Sequence, residues 1–337
     1  MARFIIRRVL WMFLVLFFVS LITFGLMRII PGGPFTGEKR LPAATLAQLN
    51  AKYHLDRPLY VQYLSFVEGV VVPKITTGQQ SNYLDHEYLI NVSLPLGNKA
   101  TFRWMNFGPS YNSIGRTVSD IFRENLPISM GLGFLAFTFS VCAGIPFGIV
   151  SALKKNTLID YSAMAIAVLG ISVPVVITAP VLQYVFGVYF KLLPISGWSG
   201  PAHMVLPVIA LGAANSALVA RLTRASLLQV LNQDYIRTAR AKGLSEGRVI
   251  LRHALKNGLI PIVTVLGPTL AFLLCGTFVV ETIFGIPGMG KYFVTSVTGR
   301  DYQVIMGTVL LLSMFLVLAN TLVDVLYIVL DPRIRTE

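Results

Sequence analysis

The sequence predicts an all-α polytopic membrane protein with six transmembrane helices and an extracytoplasmic subdomain between the first two. Three observations carry that expectation. Hydrophobic residues fill 55% of the 337 positions and charged residues only 13%, where a soluble domain carries roughly 25% charged. The apolar residues gather in six runs of membrane-spanning length. Lys and Arg collect on alternate short loops, as they do on cytoplasmic loops of membrane proteins. Much of the net charge of +13 is thereby explained by topology. In a soluble chain it would suggest nucleic acid; here no nucleic-acid partner is expected, and the lipid bilayer is.

The elements follow in order. Arg3, Arg7 and Arg8 precede the first span, Val9 to Ile30. A cleaved signal peptide would have a shorter apolar core and a small-x-small cleavage site. Arg28-Ile-Ile-Pro-Gly-Gly-Pro follows instead, so a permanent helix is expected, with Arg28 snorkelling at its far end. Residues 31–127 are polar. Leu46, Leu49 and Tyr53 mark a helical stretch within 41–69, whereas 70–106 shows no clear period. The segment is too long for a plain loop and reads as a small extramembrane subdomain.

The second span, Ile128 to Leu153, carries Gly144 and Gly148 at the spacing that favours close helix contact. Lys154 and Lys155 mark a cytoplasmic turn. Asp160 reads as a helix cap opening the third span, which runs to Phe190. That span is too long to cross straight at about 1.5 Å per residue. Pro174 and Pro180 interrupt it, so one kinked, tilted helix is expected, with two short spans as the lesser option. Met204 to Leu228 is the fourth span, ending in Arg221 and Arg224. Leu259 to Ile283 is the fifth, with Glu281 near its outer end. Val304 to Leu330 is the sixth, with Asn320 and Asp324 inside it. The expected organisation is residues 1–30, an outer segment 31–127, a core 128–330 and a tail 331–337, with both termini cytoplasmic.

Little in the chain suggests catalysis. Cys142 and Cys275 lie in apolar runs and read as small packed hydrophobes. There is no disulfide framework or zinc spacing, and His54, His86, His203 and His253 are scattered. Gly285 to Lys291 nearly matches a phosphate-cradling loop. Tyr292 stands where a small hydroxyl must reach Mg²⁺, and the loop reads as external, so no nucleotide site is expected. No Ser/His/Asp or Cys/His constellation is visible, so the chain reads as a non-enzyme without metal or cofactor. Glu281 and Asp324 are intramembrane carboxylates, which are functional candidates by default. Their places near span ends favour structural pairing, for Asp324 with Arg333 or Arg335. With Pro174 and Asn320 they form a set of candidate structural or gating residues.

The most informative stretch runs from Asp234 to Pro261, a long basic segment between two apolar spans. Asp234 can cap a short helix through Lys242. Gly243 is placed to stop it. Ser245 can cap a second helix, with Glu246 at its positive end. Arg237, Arg240, Lys242, Arg248, Arg252 and Lys256 supply the charge, with Ala239, Ala241 and Gly243 among them. Small residues permit close approach, so this element is expected to seat in another protein's groove. A helix-turn-helix DNA reader has a similar outline, but membrane spans flank this one within a few residues.

Tyr235-Ile-Arg-Thr-Ala-Arg-Ala-Lys-Gly-Leu followed by His253-Ala-Leu-Lys-Asn-Gly-Leu-Ile-Pro resembles the cytoplasmic signature of ABC importer permeases, closest to the oligopeptide/dipeptide branch. Ile30-Pro-Gly-Gly-Pro, Leu55-Asp-Arg-Pro-Leu-Tyr, Leu218-Val-Ala-Arg-Leu-Thr-Arg, Glu281-Thr-Ile-Phe-Gly-Ile-Pro-Gly-Met-Gly, Asn320-Thr-Leu-Val-Asp and Leu330-Asp-Pro-Arg agree. The broader signature begins Glu-Ala-Ala where this chain has Arg237-Thr-Ala, which narrows the resemblance to the peptide branch. Residues 70–106 look like an insertion beyond it. The resemblance implies the first of two permease subunits in a binding-protein-dependent importer of the prokaryotic plasma (inner) membrane. It implies a second homologous permease, two cytoplasmic ABC ATPases holding ATP and Mg²⁺, and an extracytoplasmic substrate-binding protein. It also implies that 234–258 holds the ATPase-coupling helix, with Asp234, Tyr235, Arg237, Thr238, Ala239, Arg240, Ala241, Lys242, Gly243, His253 and Leu255 at the contact. Di- or oligopeptides lead as substrate by resemblance, with nickel complexes, glutathione and oligosaccharides as the alternatives that relatives in this branch carry. An ion-coupled secondary transporter, with its repeats and midplane charges, and a non-transporting scaffold or sensor are the competing classes.

Overall fold

The computed structural model describes residues 2–29, 32–35, 42–77, 84–95, 100–113 and 115–330. Among them, five helices are long and apolar enough to cross a membrane, and a bent pair makes a sixth span if counted as one. The helices are α1 (Ala2–Ile29), α2 (Ala43–Lys52), α3 (Leu59–Val71), α4 (Val118–Leu153), α5 (Leu158–Ser172), α6 (Val175–Tyr189), α7 (Pro201–Leu231) and α8 (Asp234–Ala241). After these come α9 (residues 246–258), α10 (Ile260–Cys275), α11 (Phe278–Ile283), α12 (Gly290–Thr298) and α13 (Tyr302–Leu330). The chain divides into two units. The first holds Met1–Val9, Ser129–Pro287 and Phe315–Glu337; the second holds Leu10–Ile128 and Gly288–Met314.

In the first unit, glycines set the helix spacing. A Cβ at Gly144 would lie 2.6 Å from the Ser216 carbonyl oxygen, and one at Gly148 would lie 2.5 Å from Thr223 Cβ. A Cβ at Gly133 would lie 2.1 Å from the Leu273 carbonyl oxygen. Backbone therefore meets backbone along α4, as helices without a hydrophobic drive to associate in lipid require. Cys275 is buried here as expected, but Cys142 is exposed on α4.

The third span departs from expectation. It is not one kinked helix: α5 and α6 meet at 105°. Pro174 stands at the break in extended geometry, with φ −58° and ψ 144°. Proline has no N–H to continue the ladder and biases its predecessor away from helix, so Val173 closes α5 and the chain restarts. The fifth span is also interrupted, because Gly276 has φ +101° between α10 and α11.

The second unit contains what the sequence left without a period. Residues within 70–106 form a three-stranded antiparallel sheet in the order β1 (Lys74–Thr76), β3 (Thr101–Asn106), β2 (Tyr88–Ser93). Ile90 faces Trp104 and Val92 faces Phe102 in register. Arg103 is fully buried, donating to Thr76 at 2.8 Å and pairing with Asp85 at 2.8 Å. The helical stretch within 41–69 is two helices, α2 and α3. The helix of the second span starts ten residues before Ile128, at Val118. Arg28 does not reach outward alone: it stacks over Tyr302 and Phe24, 4.8 and 5.1 Å from the ring centroids, and bonds Gln62. Asp301 gathers the 110–112 turn, accepting from Ser110 Oγ (2.5 Å) and the Tyr111 and Asn112 amides (2.9 and 3.1 Å). Burial raises the Tyr111 phenol to about 12.

Candidate functional site

The basic segment folds as two helices joined at Gly243. Gly243 has φ +75°, a conformation glycine reaches without the Cβ penalty. Asp234 is not the cap. Gln233 holds that position, Asp234 is the first helical residue, and α8 ends at Ala241 with Lys242 as its C-cap. Ser245 does cap the second helix by backbone position, without a side-chain hydrogen bond. In α9, Glu246–Arg248 runs into a π-helical turn, Val249–Ala254, and then Leu255–Gly258. The wider turn moves the register by one residue per hydrogen bond.

What holds this element to its unit is a small apolar cluster. Ile236 and Ala239 of α8 and Val249 and Ala254 of α9 pack with Ala152 of α4 and Leu227 of α7. Ala239 therefore faces inward, whereas Tyr235, Arg237, Thr238, Arg240, Ala241, Lys242 and Gly243 are exposed. His253 and Leu255 are half-buried. Tyr235 accepts from Asn257 Nδ2 at 2.9 Å, linking the two helices across their outer side. Arg240 donates to both Glu246 oxygens at 3.1 and 2.5 Å, bracing the Gly243 turn. The guanidinium holds the Glu246 carboxyl below its ordinary range. Its bracing is thus complete above the ordinary glutamate value and lost as pH falls through the lowered one.

Beside that cluster lies a polar node that sequence reasoning missed. Asp160, expected as a plain cap, is fully buried. It takes two hydrogen bonds from Arg224, Nε at 2.6 Å and Nη2 at 2.7 Å, one from Ser151 Oγ at 2.5 Å, and one from the Asn156 amide at 2.9 Å. Thr157 is the actual N-cap of α5. Arg224 is 64 positions from its partner, so the only available signal was that both charges fall at span ends on one expected side.

The remaining candidates stand apart from the basic element. Glu281 is buried and accepts from Ser129 Oγ at 2.6 Å and the Thr277 amide at 3.2 Å, which satisfies the restart of α11. Asp324 pairs with Arg8 of α1; the expected neighbours Arg333 and Arg335, like the whole 331–337 tail, lie outside the described residues. Asn320 is exposed on α13, and Pro174 marks the α5–α6 break. Gly285–Lys291 follows a short helix, α11, rather than a strand. Among the described residues no group of His, Cys, Asp and Glu could hold a metal ion.

Comparison with known proteins gives this geometry a family. The model described as "Binding-protein-dependent transport system inner membrane component" matches residues 144–336. A second, "Binding-prot-dependent transport system membrane comp, N-term", matches residues 1–85. The dipeptide transport system permease protein DppB of Bacillus subtilis is 43% identical over 335 residues, covering 99% of this chain and 98% of that one. The oligopeptide transport system permease protein OppB of Salmonella typhimurium is 40% identical over 337 residues, covering 99% and 100%. A solved structure of the MetNI methionine ABC transporter in inward-facing conformations matches with a TM-score of 0.51 at 19% identity, covering 63% of this chain and 96% of that one. That last likeness concerns the fold alone. The chain belongs to the binding-protein-dependent transport system inner membrane components, in the oligopeptide/dipeptide permease branch of ABC importers.

Proposed function

We propose that this permease forms half of a translocation pathway for di- or oligopeptides and is driven through residues 234–258 by a cytoplasmic ATPase. The substrate class follows the relatives named as dipeptide and oligopeptide permeases. The partners are a second homologous permease, two ABC ATPases carrying ATP and Mg²⁺, and an extracytoplasmic binding protein. Both termini face the cytoplasm. This chain contributes no cofactor site and no hydrolysis.

The observation that carries the coupling reading is the two-sided build of α8. Ile236 and Ala239 lock one side to the unit, while Ala241, Lys242 and Gly243 project outward around a braced turn. A projection that is rigid at its base and small at its tip suits a partner's groove. The small residues divide the work: Ala239 seats the element, and Ala241 and Gly243 leave room for the partner. An ion-coupled mechanism would need a carboxylate available to the pathway. Asp160, Glu281 and Asp324 each bind groups of this same chain, which speaks against that alternative.

The test is Ala241→Trp in the complete importer reconstituted in proteoliposomes. ATP-dependent peptide uptake should fall at least about tenfold, as when a central interface contact worth about 1.4 kcal/mol is lost. Membrane insertion should be normal, because Ala241 is exposed. Uptake at the unaltered rate would rule out this face as the ATPase contact.

A further inference from the structure

We infer that the Ser151–Asp160–Arg224 node is the joint that carries movement of the basic element to the broken α5–α6 span. The inference rests on the reading of 234–258 as the ATPase contact and adds the residues that act behind it.

The argument is one of shared helices. Two neighbouring positions on α4 divide between the two structures: Ser151 donates to Asp160, and Ala152 enters the apolar cluster beneath α8 and α9. On α7, Arg224 grips Asp160 and Leu227, one turn on, enters the same cluster. The basic element and the first residues of α5 are therefore fixed to the same two helix ends. A displacement of the cluster reaches Asp160 through one turn of α7 and one peptide of α4. Farther along α5, a Cβ at Gly170 would lie 3.3 Å from Ala217 Cβ, so α5 also lies close against α7 well beyond Asp160. The first point at which the span can yield is Pro174, where α6 departs at 105°.

The bonding at the node suits transmission. Both guanidinium contacts end on one carboxylate, a geometry that fixes direction as well as distance. Asp160 is fully buried while Arg224 stays about a quarter exposed, so water screens the pair only from the guanidinium side. Ser151 Oγ also donates to Oδ1 and the Asn156 amide to Oδ2, so each carboxylate oxygen has a second donor. Lysine at 224 would keep the charge but, as a point donor, lose the two-pronged grip. These are positioning residues; none is assigned a contact with substrate or ATP.

The test uses the complete importer in proteoliposomes and compares Arg224→Lys and Ser151→Ala with the unaltered complex. Three quantities are read on equal amounts of assembled complex: ATP hydrolysed, peptide taken up, and hydrogen-exchange protection of 234–258 by the ATPases. In Arg224→Lys, protection and ATP hydrolysis should persist while ATP consumed per peptide rises about fivefold or more, the lower end of usual coupling strengths. Ser151→Ala should give a smaller rise in the same ratio. An unchanged ratio in both variants overturns the inference and leaves the ATPase contact standing. Failure of Arg224→Lys to assemble, with a normal ratio in Ser151→Ala, assigns the node to folding and also overturns it. Absence of ATPase protection at 234–258 in the unaltered complex removes the contact itself, and this inference with it.

Discussion

At the scale of single residues, Gly148 of α4 and Gly25 of α1 stand in opposite surroundings. Gly148 has no room for a Cβ, with Thr223 Cβ at 2.5 Å and the Ala220 carbonyl oxygen at 2.6 Å. Gly25 of α1 has nothing within 4 Å. Gly148→Val should therefore destabilise by about 1–3 kcal/mol, the usual cost of overpacking, while Gly25→Ala should stay within about 0.5 kcal/mol of the original. Thermal unfolding of the purified chain in nanodiscs compares the two, and equal shifts would refute the close α4–α7 approach. The Gly144/Gly148 spacing was legible because small residues four apart have a direct packing consequence. The Asp160–Arg224 bond was not, because neither residue's neighbours in sequence reveal a partner 64 positions away.

At the scale of elements, span positions were readable and their internal breaks were not. Length and prolines marked the third span as unusual, but the angle between α5 and α6 depends on packing around Pro174, which no local pattern encodes. Pro174→Ala should restore a donor to the ladder and draw the two helices toward a common axis. Spin labels placed near Tyr161 and Tyr184 should then move apart, and peptide uptake should fall. An unchanged label distance would mean that packing alone, not proline, sets the bend. The outer sheet was hidden for a different reason. Its strands are three to six residues long and β1 pairs with β3 across the intervening β2, so alternation is too short to register. The basic element was read well in outline, since Gly243 and Ser245 are local signals. Which face it buries was not, because Ile236 and Ala239 meet Leu227 and Ala152 only after folding.

At the scale of the whole molecule, the charge distribution bears on sidedness. In the topology proposed above, with α5–α6 counted as one crossing, both termini, the Lys154–Lys155 turn and residues 234–258 would lie on the cytoplasmic side. Reporter fusions at both ends and in the 154–156 and 197–200 loops should report cytoplasm, cytoplasm, cytoplasm and exterior in that order. A cytoplasmic reading at 197–200 would make the bent pair a re-entrant hairpin and reverse every later crossing. The node at Asp160 carries a consequence for descent. Losing Arg224 alone leaves the buried Asp160 carboxylate without its counter-ion, which is costlier than losing both together. Lineages should then keep acid and guanidinium as a matched set, or discard them jointly through a brief, unfit ancestor carrying only one.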